Sequence, residues 1–241
     1  MLLLGEFGRR IGERRFERDP EGARAGTGVV DGAVFGLLGL LVAFTFSGAA
    51  TRFDHRRDLI IEEANDIGTA WLRLDLLPAL HQPELRKLFR SYLDARLEVY
   101  QRLPDLAAAN LALARSVGIQ GEIWTRAVAA CQTPEGRNAI VVLLPALNQM
   151  FDIANTRHMT TRVHPPAVIF ALLMVMGLIC SLLAGYAMAG GKQRSWTHAV
   201  GFAAVIALTV YVILDLEYPR RGLIRVDAMD QTLIELRQSM D

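Results

Sequence analysis

Residues 32–51, GAVFGLLGLLVAFTFSGAAT, form an uncharged and mostly apolar run, and they pass directly into RFDHRRDLIIEEANDIGTAWLRLDLL with no helix breaker before Pro78. The hydrocarbon core of a bilayer, about 30 Å thick, asks for roughly 20 helical residues at 1.5 Å each. The run therefore predicts a transmembrane helix that leaves the membrane as a continuous charged helix. Two more stretches reach that length. Residues 165–191, PPAVIFALLMVMGLICSLLAGYAMAGG, carry no charge, and residues 195–214, SWTHAVGFAAVIALTVYVIL, have His198 as their one titratable group. The short basic connector GGKQRS predicts that these two spans form an antiparallel hairpin, which places 52–164 and 215–241 on the same membrane face.

Between the first and second spans, 52–164 reads as an extramembrane bundle of helices. Leu85, Leu88, Tyr92, Ala95, Val99 and Leu103 recur at spacings of three and four, while Lys87, Arg90, Asp94, Glu98 and Gln101 mark the opposite stripe. One face packs and the other meets water. Pro78, Pro83, Pro104, Gly118, Gly121 and Pro134 punctuate the region into helical pieces at 52–77, 83–103, 105–131 and 135–161. The tail, 215–241, turns at Pro219 to Gly222. It then forms a short amphipathic helix with Val226, Met229, Leu233 and Leu236 on one face, which suits docking on the bundle or on a neighbouring subunit.

The first 31 residues form a basic N-terminal segment in which the apolar stub Met1–Leu4 precedes Arg9, Arg10, Arg14, Arg15, Arg18 and Arg24. A signal peptide has its charges before its apolar core, so the order is wrong for one. The stub is too short to cross a bilayer. It reads either as the tail of a fourth span lost to truncation or a late start, or as a short interfacial anchor. The fold class is thus an all-α membrane protein with three clear transmembrane helices and a helical bundle inserted between the first and second.

Composition agrees with a chain partly in lipid and partly in water: 52% of its 241 residues are hydrophobic and 21% charged, with mean hydropathy +0.26. A net charge of +1 supplies no field that would attract nucleic acid. Charge also leaves the orientation open. One face holds six N-terminal arginines with Lys192 and Arg194, and the other holds Arg52, Arg56, Arg57, Arg157, Arg162, Arg220, Arg221 and Arg225, so the positive-inside rule has no imbalance to read. Cys131 and Cys180 sit in different contexts and do not suggest a disulfide, and no His/Cys spacing suggests a metal or other cofactor.

No catalytic motif stands out. The closest histidine pair, His158 and His164, is six residues apart across a predicted helix end, and its bland reading is a pair of interfacial histidines. Glu62, Glu63 and Asp66 share a helical turn beside Arg56 and Arg57. They predict a solvated or intersubunit ion-pair face, or a charged vestibule for permeant ions. Asp215, Glu217 and Arg220 could assemble a polar site at the membrane boundary, but a cap and turn at the end of the last span explains them as well. An enzyme is not expected.

On the first span, Gly36, Leu40, Phe44, Ser47 and Thr51 step along one helical face. Gly32, Gly36, Gly39 and Ala43 supply small residues at spacings that let helices approach closely, so tight helix packing competes with a pore-lining role.

The stretch LLGLLVAFTFSGAATRFDHRRDLI resembles the second transmembrane helix of bestrophins, an anion-channel family. Arg52-Phe53 matches the family's Arg-aromatic pair, Arg57 its later basic position, Leu59 the following leucine, and Phe44 the phenylalanine of its narrow hydrophobic neck. The chain departs from that pattern in lacking a complete first span, in having glycine at 36 instead of a bulky aliphatic, and in having Asp54 where a second aromatic is usual. From about residue 5 onward the order of segments, with HPPAVIFALL and ILDLEYPRRGLIRVD, is similar to bacterial bestrophin-like membrane proteins. The resemblance implies a homo-oligomer, a pentamer by analogy, in a bacterial inner membrane. It would conduct small anions along an axis lined by Gly36, Leu40, Phe44 and Ser47, with Arg52 and Arg57 as charges at the mouth. The alternative is a non-conducting scaffold or sensor whose bundle binds a protein partner while the spans anchor it in the bilayer.

Overall fold

The computed structural model describes residues 1–19, 27–103, 105–190, 195–220 and 222–240; Arg24, Pro104, the connector residues 191–194 and Arg221 lie outside the described residues. The described residues form eight α-helices: α1 (Leu2–Arg18), α2 (Thr27–Arg73), α3 (Gln82–Gln101), α4 (Leu106–Cys131), α5 (Ile140–Thr160), α6 (Ala167–Ala187), α7 (Trp196–Glu217) and α8 (Asp227–Ser239). They group into two compact units, one of Met1–Arg52 with His164–Glu217 and one of Phe53–Val163 with Tyr218–Asp241.

Helix α2 contains 47 residues, about 70 Å at 1.5 Å per residue, and it contributes to both units. The apolar run and the charged run are one helix because nothing between residues 27 and 73 interrupts the ladder. Its end follows from Pro78. After a 3₁₀ turn at Leu74–Leu76, Leu77 is already extended (φ −85°, ψ 155°), as suits the residue before a proline, and Pro78 itself has no N–H to continue a helix.

In the first unit α1, α6 and α7 pack together with the apolar part of α2. The N-terminal segment differs from the expectation of a stub. It is a helix of 17 residues whose glycine side lies on α6. A methyl group at Gly8 would run into the carbonyl of Leu182, and one at Gly12 into Ala189 and the Tyr186 carbonyl; Gly185 faces the carbonyl of Gly5 in the same way. Backbones this close require glycine, so residues that look like poor helix formers are the contact surface. Met1 reaches Gly177, Gly5 meets Gly185, and Gly12 meets Tyr186 and Ala189, so α1 and α6 run parallel. On the other side, Phe35 of α2 meets Phe202 of α7 edge to face, with centroids 5.8 Å apart.

The second unit is a bundle around Ile60, Ile67 and Leu74 of the α2 segment and its 3₁₀ turn, Leu85, Phe89 and Leu93 of α3, Ile123 and Ala127 of α4, and Leu143, Leu147 and Met150 of α5. Burying each large side chain contributes about 1.5–3 kcal/mol. Of the predicted stripe on α3, Leu85, Tyr92, Ala95 and Val99 are buried and Leu88 packs against the core. Asp105 caps α4 by accepting from the backbone N–H groups of Ala107 and Ala108. Gly118 and Gly121 do not break that helix. The tail docks on this bundle: Val226 and Leu233 are buried, Met229 and Leu236 pack beside them, Arg237 pairs with Asp94, and Arg90 donates to the carbonyl of Met240.

Four helices among the described residues are long and apolar enough to cross a membrane, where the sequence pattern gave three. The additional one is Arg137–Thr160, whose apolar side chains Leu143, Leu147 and Met150 are spent on the core of the second unit.

Candidate functional site

The face of α2 that packs within the first unit carries Leu38 (3% exposed), Thr45 (7%) and Ala49 (0%), spaced by seven and four. Gly36, Leu40, Phe44 and Ser47 project from the opposite side. Leu40 is 52% and Phe44 69% exposed, and a Cβ added at Gly32, Gly36 or Gly39 would meet nothing within 4 Å. The glycines that close a helix contact inside the chain are on α1 and α6, not on this face of α2. The Thr51 hydroxyl donates back to the carbonyl of Ser47, a local bond that keeps it on its own helix.

Arg52 and Arg57 have different surroundings. Arg52 Nε donates to Glu217 Oε2 at 2.9 Å, and His164 Nδ1 lies 2.9 Å from the other oxygen, Oε1, so a fully buried carboxylate is bracketed by two side chains. The three residues come from α2, from the end of α7 and from the segment leading into α6. That meeting brings the start of α6 to the end of α7, as the antiparallel hairpin requires. Arg57 is exposed, pairs with Asp54 one turn away, and lies over the ring of Phe53 at 5.8 Å.

A second polar cluster lies in the bundle around Glu63, one of the three acidic residues expected on a solvated or intersubunit ion-pair face or in a charged vestibule. Glu63 is fully buried and accepts from both Arg96 and Arg157, while its neighbour Glu62 stays exposed. Burial pushes the Glu63 carboxyl up, but the two guanidiniums outweigh it and hold the group below the ordinary carboxylate range. Asp66 goes the other way: partial burial and the charges of Glu62 and Glu63 raise it. Asp230 of the tail takes Arg157 at 3.4 Å and Arg220 at 2.9 Å. Tyr100 presents its ring to Arg157 at 4.0 Å and Arg220 at 4.6 Å, and its hydroxyl accepts from Arg96 at 2.9 Å. Arg96 sits one position after Ala95 on the packed stripe. An arginine embedded in an apolar periodicity was the signal for a buried partner.

Of the residues expected at the membrane boundary, Glu217 is taken by Arg52 and His164 within the first unit, and Arg220 by Asp230 within the second. Among the described residues no group of three His, Cys, Asp or Glu side chains could hold a metal ion.

An uninterrupted helix with an uncovered apolar face, held among other apolar helices by a buried ion pair, defines a helical membrane protein. The profile of the Bestrophin-like domain matches residues 6–229. The chain belongs to the Bestrophin-like family, in agreement with the resemblance seen in its residues. No curated protein matches it. Solved structures share its fold. A bacterial bestrophin homolog from Klebsiella pneumoniae is 16% identical with a TM-score of 0.74, covering 99% of this chain and 96% of that one. A single-residue variant of the Klebsiella protein is 12% identical with a TM-score of 0.74, over 99% and 97%. A further structure, described as that of a membrane protein with one substitution, is 15% identical with a TM-score of 0.76, over 99% and 96%.

Proposed function

We propose that the chain is one subunit of a homo-oligomeric anion channel of the bacterial inner membrane, a pentamer by analogy, with α2 repeated around a central axis. Gly36, Leu40, Phe44 and Ser47 line the conduction path. Leu40 and Phe44 stack as apolar rings that gate by dewetting, and Gly36 leaves a wider mouth. The observation that carries this reading is the exposed apolar pair Leu40 and Phe44, on the face of α2 opposite the one its own subunit buries. Membership of the Bestrophin-like family supports it.

Selectivity in this scheme comes from the neck. Weakly hydrated anions shed water more cheaply than small cations do, and an apolar constriction favours them. Arg52 adds little free positive charge because Glu217 compensates it, and Arg57 shares its charge with Asp54.

The test is flux in proteoliposomes together with the mass of the detergent-solubilised assembly. The expected result is a closed ring, anion flux in the wild type, and a larger flux in Phe44→Ala. Folded, oligomeric protein that passes no ions in either form would overturn the channel. A monomer or dimer would favour the membrane scaffold, since a pore on a symmetry axis needs a closed ring.

A further inference from the structure

Helix α1 has a basic end that the conduction scheme leaves unused. Along its exposed side Leu3 (87% exposed), Phe7 (55%) and Ile11 (40%) give way to arginines, while its glycine side is closed against α6. Arg9 is engaged by Glu6 and Glu13, and Arg10 by Glu6. Arg14, Arg15 and Arg18 are exposed and meet no carboxylate among the described residues.

The packing register sets their depth. Gly12 lies against Tyr186 and Ala189, where the uncharged run of the second span is ending. The three arginines follow Gly12 by two, three and six residues, which carries them about 3–9 Å further along the axis. The headgroup layer on each side of a bilayer is about 5–8 Å deep, half the difference between a core of about 30 Å and a total of about 40–45 Å. Taking the end of that run as the edge of the hydrocarbon core, Arg14 and Arg15 fall within the headgroup layer and Arg18 at its outer edge. Trp196, 53% exposed at the start of α7, is at the end of that helix away from Glu217 and marks the same boundary.

We propose that this end of α1 binds anionic phospholipid, with the headgroup phosphate taken by Arg14, Arg15 and Arg18 and an acyl chain lying along Phe7 and Ile11. The order of the face, apolar and then cationic across the membrane boundary, is the order of a lipid from chain to headgroup. A free anion would use the arginines alone and leave the apolar part uncovered.

The experiment is native mass spectrometry of the full-length protein in neutral detergent, titrated with phosphatidylglycerol or with phosphatidylcholine. Wild type should retain phosphatidylglycerol in preference to phosphatidylcholine. Arg14→Gln/Arg15→Gln/Arg18→Gln should lose about tenfold or more of that preference, given about fivefold per arginine near an anionic surface. Lys87→Gln/Arg137→Gln, which removes two cations from the bundle, should keep it. Phe7→Ala/Ile11→Ala should weaken retention of phosphatidylglycerol, and millimolar inorganic phosphate should not displace it. Helix content by circular dichroism controls for folding. If the triple variant does not fold, Arg18→Gln alone, at the last residue of α1, should still lose about fivefold. Equal retention of the two lipids by the wild type, an unchanged preference in a folded arginine variant, or displacement by inorganic phosphate would each overturn the proposal.

Discussion

Arg52 Nε donates to Glu217 Oε2 at 2.9 Å, and that bond ties the point where α2 turns from apolar to charged to the last residue of α7. Glu217 is fully buried, and His164 lies 2.9 Å away on its other oxygen. Arg52→Ala strips one partner from a buried carboxylate and should destabilise by roughly 3 kcal/mol. For a chain of this size that lowers Tm by about 6–12 °C. Arg52→Ala/Glu217→Gln should recover part of the loss, since the two effects are coupled. A thermal melt of the solubilised protein decides it; additive losses would mean that the pair does not interact.

Glu63 makes stability depend on pH. Its carboxyl is held below the ordinary value of 4.5 in the folded chain, so its contribution is fully present above that value. It is lost as pH falls below about 4.5 and through the depressed folded value. Glu63→Gln should cost about 3–5 kcal/mol at neutral pH, because Arg96 and Arg157 lose their shared carboxylate. The gap between wild type and variant should narrow on acidification. Unfolding midpoints between neutral and acid pH would reveal a gap that stays constant if Glu63 carries no such linkage.

Asp66 carries the opposite sign. Partial burial and the neighbouring Glu62 and Glu63 raise its carboxyl above the ordinary value of 3.8, so the folded chain disfavours its charged form. Asp66→Asn should therefore stabilise the protein at neutral pH, and the gain should fade as pH drops and the native aspartate takes up its proton. A variant that melts below the wild type at neutral pH would contradict this.

Two glycine substitutions separate the contacts inside the subunit from the free face of α2. Gly8→Ala places a methyl group against the Leu182 carbonyl and forces α1 away from α6, at a cost of about 1–3 kcal/mol. Gly36→Ala meets nothing within 4 Å and should leave the subunit's own packing intact. A lower Tm for Gly8→Ala beside a normal helix content for Gly36→Ala is the expected pair of results. An effect of Gly36→Ala on assembly mass or flux would then support the proposed oligomer, with this face of α2 turned toward neighbouring copies.

Much of the architecture was legible because it follows from one-dimensional constraints. An uncharged run of bilayer length, an unbroken passage from residue 32 to Pro78, and an apolar stripe at spacings of three and four each dictate a local conformation almost regardless of context. The N-terminal helix was harder to read. Gly5, Gly8 and Gly12 weaken a helix by propensity, and only the partner surface on α6 turns the missing side chains into an advantage. The tail helix showed its apolar face in sequence, while its anchor, Asp230 between Arg157 and Arg220, did not.

The candidate site divides along the same line. Sequence alone determined that Gly36, Leu40, Phe44 and Ser47 share a face, because helical periodicity settles it. It also brought out Glu62, Glu63, Asp66, Arg52 and Arg57 as charged groups near a membrane boundary. Only the tertiary structure decided that the shared face is the one its own chain leaves uncovered, that Arg52 is spent on Glu217, and that Glu63 is buried between two arginines while Glu62 remains in water. The physical reason is one of range. Backbone periodicity is set by neighbours three and four residues away, whereas the fate of a charge depends on partners brought from 33, 94 and 165 residues away, which no local pattern encodes.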